Sequence, residues 1–302
     1  MVLPECTRRQ RSVPALLMLI TASTAVGLAQ PQVISPRVLA TLQQAGGQIA
    51  ESTAVPVGDD STVVVVTGTG GDPLNPQLRV GTHALAVKVI GHDPVSRLGF
   101  LKVEGGGLPK AVEWAVDAES SAGQDLQAMD PTGPVKCRAT GRVKQVGGKI
   151  LPFSLLGVDF QRAVPPPGTP LVDASGRVVG IVFQATGNGN VGYVIPAEAV
   201  HRVRRDVCEG GGKLVRGWLG LALRAETGAP RISRVVENSP AAGAGIRTDD
   251  VIVSIGGRAV ADYADASNAF FYLIPGQGVR MKIQRASKPL DFTLVPAVTP
   301  AP

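Results

Sequence analysis

The chain has 302 residues, 44% hydrophobic and 18% charged, which excludes a disordered chain and favours about two globular domains. Its 37 glycines, 24 prolines and only 4% aromatic residues favour β-rich domains with many turns over a helix bundle. The net charge of +6 comes without a helix-turn-helix pattern, zinc-finger spacing or aromatic RNA-binding signature, so we expect no nucleic-acid partner.

Residues 1–29 have the parts of a secretory signal peptide: a cluster of arginines, an apolar run over 13–28, and small residues for cleavage near Ala29. An uncleaved membrane anchor is the alternative, but the apolar run is shorter than the roughly 20 residues that span a bilayer. The sequence therefore predicts a periplasmic or secreted protein with no stable membrane span after cleavage.

Residues 30–60 are predicted to form a linker followed by one helix. Ser35-Pro36 would begin the helix, because Val38, Leu39, Leu42 and Ile49 recur at nearly helical spacing.

Residues 61–209 contain a series of short strand-like runs separated by glycine-rich turns, a pattern typical of a β-barrel or sandwich. The runs are Thr62–Thr67, Ala84–Ile90, Leu98–Val103, Val135–Val146, Val178–Ala185 and Val191–Ile195. A helix over Pro196–Val207 is predicted to close this domain, with arginines in its last turns, where cations suit the helix dipole.

Three consecutive glycines, Gly210 to Gly212, predict a flexible hinge over 210–214. A compact second domain over 215–297 and a tail over 298–302 follow. In this domain we expect five short strands, a short helix beginning after Ser239, and a longer helix near Asp265–Ile274 that ends at Pro275-Gly276.

Two cysteines, Cys137 and Cys208, remain after the leader. An exported protein permits one disulfide between them, and two buried thiols are the alternative. Neither the cysteines nor the three scattered histidines have a metal-binding spacing, so we expect no metal and no cofactor.

The second domain resembles the PDZ domains of bacterial secreted proteases. The resemblance lies in VVENSPAAGAGI over 235–246 and DVIVSIGG over 250–257, although Asp249 stands where the family usually has glycine. A PDZ domain adds a peptide as a strand and captures its terminal carboxylate with backbone amides. The resemblance therefore implies peptides or protein C-termini as partners.

The same resemblance implies which residues bind the peptide. The segment GWLGL would supply the carboxylate loop and the binding strand through Trp218, Leu219, Gly220 and Leu221. The helix near Asp265–Ile274 would form the opposite wall. Its lining residues would be Phe270, Phe271 and Leu273. The alternative is that the apolar side chains are only core, but this does not account for Gly220, which has no side chain to pack.

The first domain resembles the trypsin-like domain of the HtrA (DegP-like) serine proteases. The similar segments are VIGHDPVSRLGFLK over 89–102, GTPLVDASGRVVGI over 168–181 and GNVGYVIP over 189–196. The resemblance implies a mainly β fold, a degenerate trypsin-like double β-barrel followed by an α+β PDZ domain with five to six strands and two helices. HtrA relatives commonly form trimers, which makes an oligomer an open alternative.

The catalytic positions of the family are changed in this chain. Arg97 stands where the resemblance places the triad aspartate, Pro167 stands where it places the nucleophilic serine, and the histidine motif is absent. We therefore predict a pseudoenzyme with no catalytic residue, which binds peptides in the cell envelope and regulates or scaffolds proteolysis there. The alternatives are an active HtrA-type serine endopeptidase with divergent residues, and a first domain that is only a structural platform.

Overall fold

The computed structural model describes residues 38–43, 49–68, 74–110, 112–116, 122–224 and 228–299. The predicted signal peptide over 1–29, its cleavage point and the beginning of the linker lie outside the described residues. The fold is mainly β, as predicted, and consists of two barrel-like units followed by a smaller α+β unit.

The first unit has eight strands in the part of the chain that the structure describes. They are β1 (Val38–Gln43), β2 (Ile49–Thr53), β3 (Val55–Pro56), β4 (Thr62–Val66), β5 (Leu74–Val80), β6 (His83–Leu85), β7 (Val87–Asp93) and β8 (Leu98–Val103). They form two four-stranded sheets, ordered β2-β1-β5-β6 and β3-β4-β8-β7. Apolar side chains of both sheets meet in one core, which includes Leu42, Leu78 and Leu101.

The helix predicted within 30–60 is wrong, because the described part of this segment forms β1, β2 and β3. In β1, Val38, Ala40 and Leu42 are buried and the residues between them are more exposed. This period of two is the pattern of a strand with one buried face. The helical interpretation counted Leu39, which is on the other face.

The second unit is a closed barrel, ordered β10-β11-β14-β13-β12-β9. Its strands are β9 (Asp125–Ala128), β10 (Val135–Val146), β11 (Lys149–Phe160), β12 (Pro170–Val172), β13 (Val178–Ala185) and β14 (Val191–Pro196). The two longest strands, β10 and β11, form a hairpin. The chain leaves this barrel through α1 (Ala197–Glu209), whose buried face includes Val200, Val203 and Val207.

In its described residues, the third unit has two helices, as predicted, and eight strands. The five to six expected strands are exceeded because three of the eight are only two residues long. Its strands are β15 (Gly217–Trp218), β16 (Leu221–Leu223), β17 (Ile232–Val235), β18 (Val251–Ile255), β19 (Arg258–Ala259), β20 (Val279–Arg285), β21 (Lys288–Leu294) and β22 (Ala297–Val298). The helices are α2 (Pro240–Gly243) and α3 (Tyr263–Phe271). Ser239 caps α2 by accepting a hydrogen bond from the Ala242 amide at 3.2 Å, which satisfies one of its free amides.

The predicted hinge over 210–214 does not leave the third unit free, because α3 is packed against the β10–β11 hairpin. Lys144 of β10 pairs with Asp262 at 3.2 Å and with Asp265 at 2.6 Å. Farther along α3, Phe271 contacts Phe153 with ring centroids 4.8 Å apart and belongs to the barrel core. A glycine-rich connection permits motion, but the buried aromatic contact and the ion pairs across this interface oppose it.

Both described cysteines are free thiols, so the structure contains two thiols and not the disulfide that the sequence left open. Cys137 lies in the core of the closed barrel, and burial raises the pKa of its thiol to about 12. Burial likewise raises the pKa of Cys208 in α1 to about 11.

We expect iodoacetamide at pH 8 to alkylate Cys137 and Cys208 slowly in the folded protein, because the thiolate is the reactive form. Both should react rapidly in urea. The rates can be measured by mass spectrometry, and rapid labelling of Cys137 in the folded protein would contradict its burial.

Candidate functional site

A groove of about 270 Å³ lies between the β15–β16 segment and α3. All seven residues predicted to bind a peptide line it: Trp218, Leu219, Gly220, Leu221, Phe270, Phe271 and Leu273. The remaining lining residues are Pro152, Arg216, Gly217, Ser267 and Thr299. The structure therefore brings the two predicted walls together at one concave surface.

The strand wall has an edge suited to a further strand. β16 pairs with β17 on one side, and no other described strand pairs with β16. Leu221 lies opposite Val235, and the hydrogen bond next to this pair runs from the Val236 amide to the Gly220 carbonyl at 2.8 Å. In antiparallel geometry this register turns the N–H and C=O of Leu221 away from β17. These two groups can therefore bond to an extended peptide.

The accessible part of the lining is smaller than the predicted set. Leu219 and Leu273 are each 3% exposed and belong to the core of the third unit. Phe271 is also 3% exposed, but it packs into the barrel core. Trp218, Leu221 and Phe270 are half-buried. These three side chains are the apolar surface that a ligand can touch most fully.

Gly220 lines the groove, and the backbone conformation of the loop also requires a glycine at this position. Its φ is +78°, in the region that favours glycine, and a Cβ there would collide with Ser239. A side chain at this position would therefore meet Ser239 as well as a ligand. A substitution at Gly220 would disturb the N-cap of α2, and it cannot serve as a clean test of binding.

Sequence reasoning missed several lining residues. Gly217 begins the predicted segment GWLGL, Arg216 directly precedes it, and Ser267 lies in the predicted helix, so their neighbourhood in the sequence could have indicated them. Pro152 belongs to the β10–β11 hairpin and offered no such signal. Only the docking of the hairpin beside α3 brings it to the groove.

An ion pair with a buried carboxylate supports the domain that carries the groove. Asp250 is 1% exposed, and its two carboxylate oxygens accept hydrogen bonds from the Arg285 guanidinium at 2.8 and 2.9 Å. Burial by itself would raise the pKa of Asp250, but Arg285 and the Arg247 amide hold the pKa below its usual range. Its neighbour Asp249 has φ +70°, the left-handed conformation for which the family usually has glycine.

Arg97, which the resemblance in sequence places at the triad aspartate, lies between the two barrel-like units, near Thr67 and Phe183. The backbone of Arg97 has φ +58°. The Thr67 amide donates a hydrogen bond to the Arg97 carbonyl at 2.8 Å, and the side-chain Nε of Arg97 donates to the Thr67 carbonyl at 3.1 Å. The guanidinium lies 4.7 Å from the ring centroid of Phe183. Partial burial lowers the pKa of Arg97. The position thus holds a fixed cation.

Pro167, which the resemblance in sequence places at the nucleophilic serine, is packed against β2. Its carbonyl accepts hydrogen bonds from the Thr53 amide at 2.8 Å and from Ser52 Oγ at 3.4 Å. Ser52 is fully buried, and its hydroxyl also accepts from the Val66 amide at 3.0 Å. The Ser52 hydroxyl is therefore enclosed by backbone contacts. Residues 69–73, in the region of the missing histidine motif, lie outside the described residues, and their sequence contains no histidine.

Residues 217–295 match the family of PDZ domains. The "Probable periplasmic serine endoprotease DegP-like" of Ectopseudomonas mendocina (strain ymp) is 31% identical over 232 residues, 70% of this chain and 48% of that protein. The protein of the same name from Chlamydia muridarum (strain MoPn / Nigg) is 29% identical over 238 residues, 70% of this chain and 47% of that protein. The chain thus spans about half the length of the curated relatives that it matches.

Solved structures show the same fold. The HtrA-type protease AlgW with tripeptide has a TM-score of 0.65 at 19% identity, covering 89% of this chain and 96% of AlgW. The serine endoprotease from Yersinia pestis has a TM-score of 0.56 at 16% identity, covering 89% of this chain and 96% of the other. Two barrels and a PDZ groove define a trypsin-like protease homologue with a C-terminal PDZ domain. In sequence and in fold, the chain is similar to the HtrA/DegP-like serine proteases.

The relatives are named as periplasmic proteins, which agrees with the predicted periplasmic or secreted location. Within the described ranges, no helix has the length and apolar character needed to cross a membrane. The same part of the chain contains no cluster of side chains suited to hold a metal ion.

Proposed function

We propose that this protein binds peptides or protein C-termini in the PDZ groove and does not hydrolyse them. The observation that carries the proposal is the groove itself, where an available strand edge at Leu221 faces the apolar ring of Phe270. A bound peptide would gain main-chain hydrogen bonds along β16 and would bury its terminal side chain, worth about 1.5–3 kcal/mol for a group the size of leucine.

The chemistry of the former catalytic cleft supports the non-catalytic part of the proposal. A serine protease needs a nucleophile, a general base and amide donors for the oxyanion. Pro167 has no hydroxyl, and the run Pro165-Pro166-Pro167 has no backbone N–H to donate. Arg97 would repel a protonated imidazole instead of stabilising it.

We place this binding in the cell envelope. A binder of C-termini that shares its fold with envelope proteases is suited to hold unfolded chains or to present them to an active protease. In this proposal the two barrels are a scaffold for the groove, and proteolysis is the work of a partner enzyme.

Peptides with a free C-terminus and a hydrophobic last residue are expected to bind the full-length mature protein. Amidation of the peptide should weaken binding at least about tenfold, since hydrogen bonds to charged groups contribute roughly 1.5–3 kcal/mol. Ser267→Trp should also abolish most binding, because Ser267 lines the groove on α3 without being a core residue. Fluorescence anisotropy with a labelled peptide measures each effect.

Ser233→Trp is the matched control, because Ser233 is exposed on β17 and is absent from the groove lining. Its affinity should equal that of the wild type. Binding that is indifferent to amidation and to Ser267→Trp would show that the peptide binds elsewhere.

A further inference from the structure

Two charged residues of α1 form a buried pair below the groove. Arg202 is 6% exposed and Asp206 is 8% exposed, and Arg202 Nη1 donates to Asp206 Oδ2 at 2.6 Å. They lie one helical turn apart, on the face of α1 that meets the PDZ domain. Buried charges are retained only where their partners are well placed, so the partners of this pair define what it holds.

On the strand side, the pair holds the segment that leads into the carboxylate loop. The Val215 amide donates to Asp206 Oδ2 at 2.9 Å, and the Val215 carbonyl accepts from Arg202 Nη2 at 2.9 Å. Both backbone polar groups of Val215 are thus bound by one ion pair. This contact fixes the backbone three residues before Trp218.

On the helix side, Arg202 Nη2 also donates to the Leu273 carbonyl at 2.9 Å, just beyond the end of α3. The same carbonyl accepts from the Gly217 amide at 3.2 Å. The two walls of the groove touch here, since a Cβ at Gly217 would approach Leu273 Cβ to 2.7 Å. Arg202 therefore connects both walls at the closed end of the groove.

We propose that Arg202 is a positioning residue for the ligand: it sets the distance between the two groove walls where the terminal side chain of a peptide binds. This inference rests on the proposed function of the groove. In this proposal the barrel domain contributes to peptide specificity, because a residue of its last helix fixes the pocket of the PDZ domain. The planar guanidinium reaches both carbonyls and the carboxylate at once, which a lysine ammonium on a flexible stem would not do equally well.

The test compares full-length variants in their binding of two free-acid peptides that differ only in a terminal leucine or alanine. Arg202→Met alone leaves Asp206 buried without its partner, so the double variant Arg202→Met/Asp206→Leu is the main probe. Arg205→Met is the control. Arg205 also belongs to α1 and reaches the PDZ domain, but only through an exposed contact with Gln277 at 3.2 Å.

For the double variant, we expect the Kd of the leucine-ended peptide to rise about tenfold, comparable with the net value of about one hydrogen bond. The Kd of the alanine-ended peptide should change less, so the preference for leucine should shrink. Arg205→Met should leave the Kd of both peptides unchanged. A purely structural role would lower the fraction of active protein while leaving the Kd and the preference unchanged, and this result would overturn the proposal.

Hydrogen exchange in the wild type tests the same point without a variant. The Gly217 and Val215 amides should exchange slowly in the peptide-free protein, because both donate to the connection described above. Rapid exchange at both would overturn the proposal even if the double variant did not fold. Failure of the wild type to bind any free C-terminus would instead refute the proposed function, on which this inference rests.

Discussion

The purified mature protein is expected to leave casein and unfolded peptides uncleaved, and a serine-reactive phosphonate is expected to label no residue of it. In serine proteases, loss of the triad lowers kcat by about 10⁶-fold and leaves roughly 10³–10⁴-fold catalysis over water, which comes from the oxyanion hole and binding. In this chain the proline run at 165–167 offers no oxyanion donor, so even that remainder should be smaller.

Pro167→Ser gives a sharper form of this prediction. The histidine motif is absent from the sequence, so the new hydroxyl would lack its general base and the variant should remain inert. An HtrA-type protease with its triad intact is the positive control for both assays. Cleavage that persists through purification and disappears with the phosphonate would establish the alternative, an active endopeptidase with divergent residues.

Arg285→Met is expected to destabilise the PDZ domain more than the loss of a surface ion pair would, because it leaves the buried carboxylate of Asp250 without its partner. Native-state hydrogen exchange of the amides in β20 measures the change. Arg224→Met is the control. Its partner Asp249 lies 3.0 Å away on the surface, where such a pair contributes less than about 1 kcal/mol. Equal effects of the two variants would show that the Asp250 pair does not stabilise the domain.

The effect of Arg285→Met should depend on pH in one direction. In the wild type, the folded pKa of Asp250 lies below its unfolded value, so the pair stabilises the fold above the unfolded pKa, near 3.9 for aspartate. This stabilisation disappears as the pH falls through the folded pKa. The difference between wild type and variant should therefore be largest near neutral pH and should shrink in acid.

The sequence by itself predicted the features that local pattern determines. Short apolar runs between glycine-rich turns predicted a mainly β chain, and the structure confirms it. Ser239 and Pro240 predicted the start of α2, because a capping hydroxyl and a proline at the first turn act within a few residues. The groove segments were also within reach of the sequence, since GWLGL and the α3 segment are each continuous.

Tertiary structure decided where distant segments meet. Val38 to Leu42 form a strand and not a helix because packing against β4 and β8 decides which face is buried. The glycine connection after α1 does not release the PDZ domain, because Lys144 and Phe153 of the barrel hold α3. Their partners lie more than a hundred positions farther along the chain, and sequence spacing does not predict a contact over such a distance.

The role of individual residues followed the same division. Gly220 was recognised as unusual from its lack of a side chain, but only the structure revealed that Ser239 occupies the space beside it. In the sequence, Arg202 is one of several arginines near the end of a predicted helix. Its burial between Asp206, Val215 and Leu273 depends on how the two domains dock. Hydrogen bonds between domains depend on the packed surfaces of both domains, and the local sequence of either segment does not predict them.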